Sequence, residues 1–188
     1  MRQISLILSL ALFLSGCTSL VNSVVKEPIN PDPTDSTLSS NINDIKMDTY
    51  IGVNIKKASP ALKKSHINVH VVNGVVLLTG EVPNQDLKVL AGNTARAYNG
   101  VRQVHNELAV RGNSSIVSRT NDRLITAQVK TKLTFDKEVD ASDINVSTED
   151  SVVYLMGKVR RLSAEKATAI ASGTSGVRKV VKVFEYVD

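Results

Sequence analysis

The feature that most constrains this 188-residue chain is an internal repeat. Ile67-Asn68-Val69 and Val75-Val76-Leu77-Leu78-Thr79-Gly80-Glu81-Val82 return 77 residues later as Ile144-Asn145-Val146 and Val152-Val153-Tyr154-Leu155-Met156-Gly157-Lys158-Val159. Gly100-Val101-Arg102-Gln103-Val104 returns 76 residues later as Gly176-Val177-Arg178-Lys179-Val180, which places a one-residue indel in the helix or turn between. Self-similarity over this length means one supersecondary unit used twice.

Each copy reads as helix, strand, strand, helix, strand. Ile67, Val69 and Val71 alternate as in a half-buried strand. Asn73-Gly74 is a hairpin turn signal, because both residues tolerate positive φ. Val75 to Val82 is the second strand, Asn84 is placed to cap a helix that ends near Asn99-Gly100, and Val101 to Val110 is the last strand. In the second copy Glu149-Asp150-Ser151 forms the turn, Ser163 is placed to cap an Ala-rich helix that stops before Gly176, and Val177 to Val187 closes the unit. Gly80 and Gly157 fall in mid-strand, where a glycine marks a bulge or a close backbone approach. The fold class is therefore α+β: two tandem αββαβ domains, residues 46–112 and 119–188, each a three-stranded mixed sheet packed against two helices. Units this small have thin cores. The two are expected to pack together or to be stiffly joined through residues 111–120.

The N-terminus reads differently. Met1-Arg2-Gln3 precedes an apolar run from Ile4 to Leu14, the layout of a signal peptide over residues 1–16 and too short for a bilayer span. Leu14-Ser15-Gly16-Cys17 then resembles a bacterial lipobox. The resemblance implies that the Cys17 thiol takes a diacylglyceryl group and that cleavage before it frees an amine for another acyl chain. Two or three chains anchor firmly where one does not. Thr18 stands where an Asp commonly retains such lipoproteins in the inner membrane, which points to the outer membrane and its periplasmic face. Residues 17–45 hold Pro28, Pro31 and Pro33 among polar residues with no apolar period, and read as a tether.

The run Asn73 through Gly80 and the pair Gly100 through Val104, with their second-copy partners Ser151 through Gly157 and Gly176 through Val180, resemble the BON domain family. Ser151 departs from the pattern, standing where the hairpin glycine is usual. Two such domains behind a lipobox resemble outer-membrane lipoproteins linked to cell division and envelope integrity. The resemblance implies a non-enzymatic protein that binds anionic phospholipid, such as phosphatidylglycerol or cardiolipin, mainly through the first helix of its second domain.

That helix is read over residues 121–134. Ile125, Val129 and Leu133 share its core face, and Leu124 lies about 100° from Ile125 on the side away from Val129. Leu124 and Ala127 among Arg119, Arg123 and Lys130 form the expected lipid contact. The cations meet phosphate, for about 1 kcal/mol each, while the leucine enters the acyl boundary for about 1.5–3 kcal/mol. The bland alternative is a solvated basic face with one exposed leucine. A rival lies in the first copy, where Tyr50 is aligned with Leu124 and Lys56 and Lys57 follow. Charge alone favours the rival, because residues 46–112 carry a net +5 and residues 119–188 a net +2. A second reading of function is an adaptor for the outer-membrane protein assembly machinery, docking on a sheet edge.

Composition excludes other classes. A single Cys forbids an internal disulfide and a multi-Cys metal site. His66, His70 and His105 read as surface or sheet-edge residues, so no metal and no cofactor is expected. Aromatics at 4% with no Trp leave no stacking platform, so nucleic acid is not an expected partner. No nucleophile-base motif or phosphate loop is found, so an enzyme is not expected.

Overall fold

The structure, a computed structural model, describes residues 40–187. The signal segment, Cys17 and the tether as far as residue 39 lie outside the described residues. Among the described residues no helix is long and apolar enough to cross a membrane.

Helix α1 (Ser40–Ala58) and the short α2 (Pro60–Lys64) precede a hairpin of β1 (His66–Val72) and β2 (Val75–Val82). The tether reading is thus corrected over residues 40–45, which belong to α1. The physical reason is Asp44, whose carboxylate accepts hydrogen bonds from the turn amides of Asn73 and Gly74 at 2.6 and 3.2 Å. This part of the helix is tied to the hairpin turn by a tertiary contact that no local pattern announces. Ile51 and Ile55 are fully buried against the sheet. The hairpin is antiparallel, with His66 opposite Glu81 and Val72 opposite Val75.

Helix α3 (Gln85–Arg96) follows, with the Asn84 side chain accepting from the Leu87 amide at 2.9 Å. The chain then returns parallel to β2. The expected single strand over 101–110 is corrected to two: β3 (Gln103–Asn106) and β4 (Ala109–Val110), both paired with β2. Leu108 turns into the core between them, which interrupts the ladder and makes this sheet four-stranded.

The second unit opens with α4 (Ile116–Phe135), longer at both ends than the reading over 121–134. Ser115 caps it, accepting from the Ser118 amide at 3.2 Å. A 3-10 turn (Ala141–Asp143) leads to β5 (Ile144–Glu149) and β6 (Val152–Val159), then α5 (Arg161–Ser172) and β7 (Lys179–Tyr186). Strands β5 and β6 are antiparallel, β6 and β7 parallel. Asp122 repeats the role of Asp44, accepting from the turn amides of Asp150 and Ser151 at 2.9 and 2.8 Å. Those two anchors let Asp150 and Ser151 hold φ of 51° and 60° without a glycine. The cap expected at Ser163 is corrected. Arg160 takes the N-cap position without a side-chain bond, and the Ser163 hydroxyl is buried inside the first turn.

The mid-strand glycines are close-approach sites. A Cβ at Gly80 would lie 2.1 Å from the His66 carbonyl oxygen, and one at Gly157 2.0 Å from that of Asp143. Any side chain there would push the second strand of the unit away from the chain at the start of the first.

Alternation along the strands gives each sheet two buried faces. Ile67, Val69, Val76 and Leu78 face the helices of the first unit, and Val146, Val153 and Leu155 those of the second. The opposite faces meet each other: Leu77, Tyr154, Met156 and Val183 form a shared apolar centre, with Val72, Val75, Val152 and Val181 around it. Polar pairs ring that centre. Glu185 accepts from Asn73 and from both terminal nitrogens of Arg102. Arg111 reaches Glu81 at 3.1 Å and Asp150 at 3.2 Å. The two domains pack sheet to sheet, helices outward.

Candidate functional site

On α4 the core face carries Ile125, Val129 and Leu133, all buried. Rotating by 100° per residue puts Val117, Leu124 and Phe135 within a narrow stripe on the outward side. These side chains are 79%, 58% and 81% exposed. Arg123 and Lys130 flank the stripe on one side and Lys132 on the other, all exposed. Among the described residues, neither Arg123 nor Lys130 is in an ion pair. Ala127 is exposed between Leu124 and Lys130.

Arg119 stands apart from the stripe. It is half-buried, and its guanidinium donates to the Ser114 carbonyl at 3.2 Å. It lines a cleft of about 270 Å³ between β1 of the first unit and α4 with β5 of the second, together with His66, His70, Arg123 and Glu149. Burial, and after it the charge of Lys130, holds the His70 imidazole below its ordinary pKa against the pull of Glu149.

The alignment of Tyr50 with Leu124 is corrected. Asp44 and Asp122 hold equivalent turns, so Met47, Ile51 and Ile55 correspond to Ile125, Val129 and Leu133. Leu124 then corresponds to Lys46, which is exposed. Tyr50 packs on the core with its ring 6.5 Å from that of Tyr98. Lys56 and Lys57 are half-buried. From Lys46 to Ala58, α1 exposes no large apolar side chain. The apolar stripe belongs to the second unit, although the first is more basic.

Val117 and Phe135 were not legible as contact residues because both fall beyond the helix ends read from the sequence. Extending the wheel one turn each way would have placed them beside Leu124. A further cluster was not foreseen. His66, Glu81 and Glu149 each offer a ligand atom, and these atoms lie within 4.8 Å of one another. Glu81 lies opposite His66 in their own hairpin, whereas Glu149 arrives from the other domain, where no sequence pattern places it.

The BON domain family matches the chain twice, over residues 48–112 and 121–188. The chain is 35% identical to outer membrane lipoprotein DolP of Haemophilus influenzae, over all of this chain and 97% of that one. It is 31% identical to a 21 kDa hemolysin of Actinobacillus pleuropneumoniae, over 85% of this chain and 80% of that protein. Among solved structures, the C-terminal domain of CdsD, a structural protein of the type III secretion system of Chlamydia trachomatis, covers 72% of this chain and 96% of its own at 13% identity. Its TM-score of 0.26 carries no functional argument. The chain belongs to the BON domain family, among outer-membrane lipoproteins with two copies that resemble DolP.

Proposed function

We propose that this protein is a non-enzymatic lipoprotein on the periplasmic face of the outer membrane, held there by acylated Cys17, that binds anionic phospholipid through α4 and supports envelope integrity, including at division sites. The observation that carries the reading is the exposed stripe of Val117, Leu124 and Phe135 flanked by Arg123 and Lys130. A helix with an apolar strip between cations suits the boundary between headgroups and acyl chains. Each interaction is weak, and tethering by the acyl chains raises the effective concentration enough to make them count.

Residues 17–188 carrying Cys17→Ser, and therefore lacking the anchor, are expected to sediment with vesicles rich in phosphatidylglycerol or cardiolipin and less with phosphatidylcholine vesicles. Salt weakens binding through screening. Leu124→Glu lowers it while leaving the melting curve in place. Equal binding by Leu124→Glu and parent would remove α4 from the mechanism. Crosslinking in cells to one dominant protein, with no vesicle binding, would instead support the assembly-machinery adaptor.

A further inference from the structure

We propose that the seam between the two domains holds one zinc-type divalent cation, ligated by His66, Glu81 and Glu149. The three side chains come from β1, β2 and β5: the first hairpin pairs His66 with Glu81, and the packing of the two sheets brings Glu149 to them. His66 and Glu81 are directly opposite in the hairpin register, so their side chains share the face turned to the second domain. The His66 Nε2 and Glu149 Oε2 atoms are 3.6 Å apart. A tetrahedral ion with bonds of about 2.0–2.2 Å has ligands separated by roughly 3.3–3.6 Å, so this edge is already near its final length.

Glu81 is the second, independent observation. It is fully buried; its Oε1 accepts from Arg111, and its Oε2 has no hydrogen-bond partner among the described residues. A buried carboxylate oxygen without a donor is strongly unfavourable. Arg111 satisfies one oxygen and leaves the other to a cation. Glu149, also buried, accepts one side-chain hydrogen bond among the described residues, from Asn68 Nδ2 at 2.9 Å.

Asn68 adds to the case. The same Nδ2 lies 3.3 Å from His66 Nε2, and an amide nitrogen can only donate. That contact would take up the one lone pair Nε2 has, so metal binding there requires the Asn68 amide to be turned over, with its oxygen in place of the nitrogen. Turning the Asn68 amide over would put its oxygen in the same place as a fourth ligand. One imidazole with carboxylates suits zinc, whereas magnesium and calcium favour all-oxygen sites. The repeat supplies no second copy of the cluster: Glu81 corresponds to Lys158, and Glu149 to Val72. One ion per chain is expected, clipping the first domain to the second.

The test uses the full chain in detergent in the Cys17→Ser background, which removes its single thiol. The protein is stripped with EDTA and dialysed against zinc chloride, or magnesium chloride for comparison. One zinc per chain is expected, with magnesium not retained and the melting midpoint raised by zinc. His66→Gln and Glu149→Gln keep similar size and polarity; each is expected to weaken zinc binding by at least about 100-fold, more than loss of an outer partner costs. His70→Gln lines the same cleft and is expected to bind as the parent does. Circular dichroism reports whether each variant is folded, and cobalt substitution reports tetrahedral coordination by its visible absorption in the parent. Failure of the parent to retain stoichiometric zinc overturns the proposal, as does parent-like binding by both His66→Gln and Glu149→Gln.

Discussion

Arg111 is where the stability of the seam can be measured. Its Nη2 lies 3.1 Å from Glu81 and its Nη1 3.2 Å from Asp150. Replacing it with Met keeps length and removes charge. Asp150 still holds Arg178 at 2.9 Å, so the variant isolates the effect on Glu81, whose side chain has no exposed surface. Leaving one member of a buried ion pair alone costs about 3–5 kcal/mol. Arg111 is itself 41% exposed, so water and salt screen part of the pairing, and about 2–3 kcal/mol is the expected loss. For a folded region of this size that is a fall of roughly 5–10 °C in the melting midpoint. Thermal melts by circular dichroism in EDTA, which keeps any adventitious cation out of the seam, read the change directly. Arg111→Met combined with Glu81→Gln is expected to recover more than half of the loss, because a neutral amide tolerates the site better than an unpaired charge. A single variant melting within about 1 °C of the parent would refute the reasoning, as would a double variant no more stable than the single.

Phe135→Ser is expected to lower binding to anionic vesicles by roughly tenfold to a hundredfold, since most of a phenylalanine leaves water on insertion, and to leave the melting curve unchanged. Asp48 sits where burial, the largest effect, and the charge of Asp44 lift its carboxyl from 3.8 to about 7 against a lowering hydrogen bond from the Val71 backbone. The folded chain thus holds that proton more tightly than the unfolded one, and stability falls as pH rises from 3.8 towards 7. Asp48→Asn is expected to melt above the parent at about pH 8 and to converge with it near pH 4; a constant offset at both would contradict the assignment. Asp122→Ala removes both acceptors of the Asp150-Ser151 turn and is expected to cost about 2 kcal/mol in urea unfolding. Gly80→Ala drives a methyl into the His66 carbonyl and is expected to cost about 3 kcal/mol or more by the same measurement, with Gly157→Ala behaving alike.

What the sequence disclosed was whatever short-range chemistry determines. The Asn73-Gly74 turn, the Asn84 cap and the two close-approach glycines all follow from neighbouring residues and are found where expected. The start of α1 was placed too late because Asp44 acts at a distance, on a turn 29 and 30 residues away, and in sequence is merely a polar residue before an apolar pattern. That of α4 was placed too late because its cap, Ser115, is one of several polar residues in the linker. The misplaced start of α1 then slipped Tyr50 by a turn against Leu124, and the early stop of α4 hid Phe135. Strand interruption at Leu108 was hidden because Val101, Val104, Leu108 and Val110 stand among polar residues without strict alternation, so the sequence carries no sign of which way Leu108 faces. The meeting of His66 and Glu81 with Glu149 depends on domain packing, for which repeat periodicity has no code.

Both sheets commit their second face to the other unit, and this has a consequence for the isolated repeat. A fragment containing only the first domain would leave Val72, Val75 and Leu77 open to water, and one containing only the second would uncover Tyr154, Met156 and Val183. Such sticky slabs favour self-association over solitary life. Division of labour between the halves therefore cannot be assayed simply by cutting the chain in two, because each half would arrive with a new adhesive surface that the intact protein never shows.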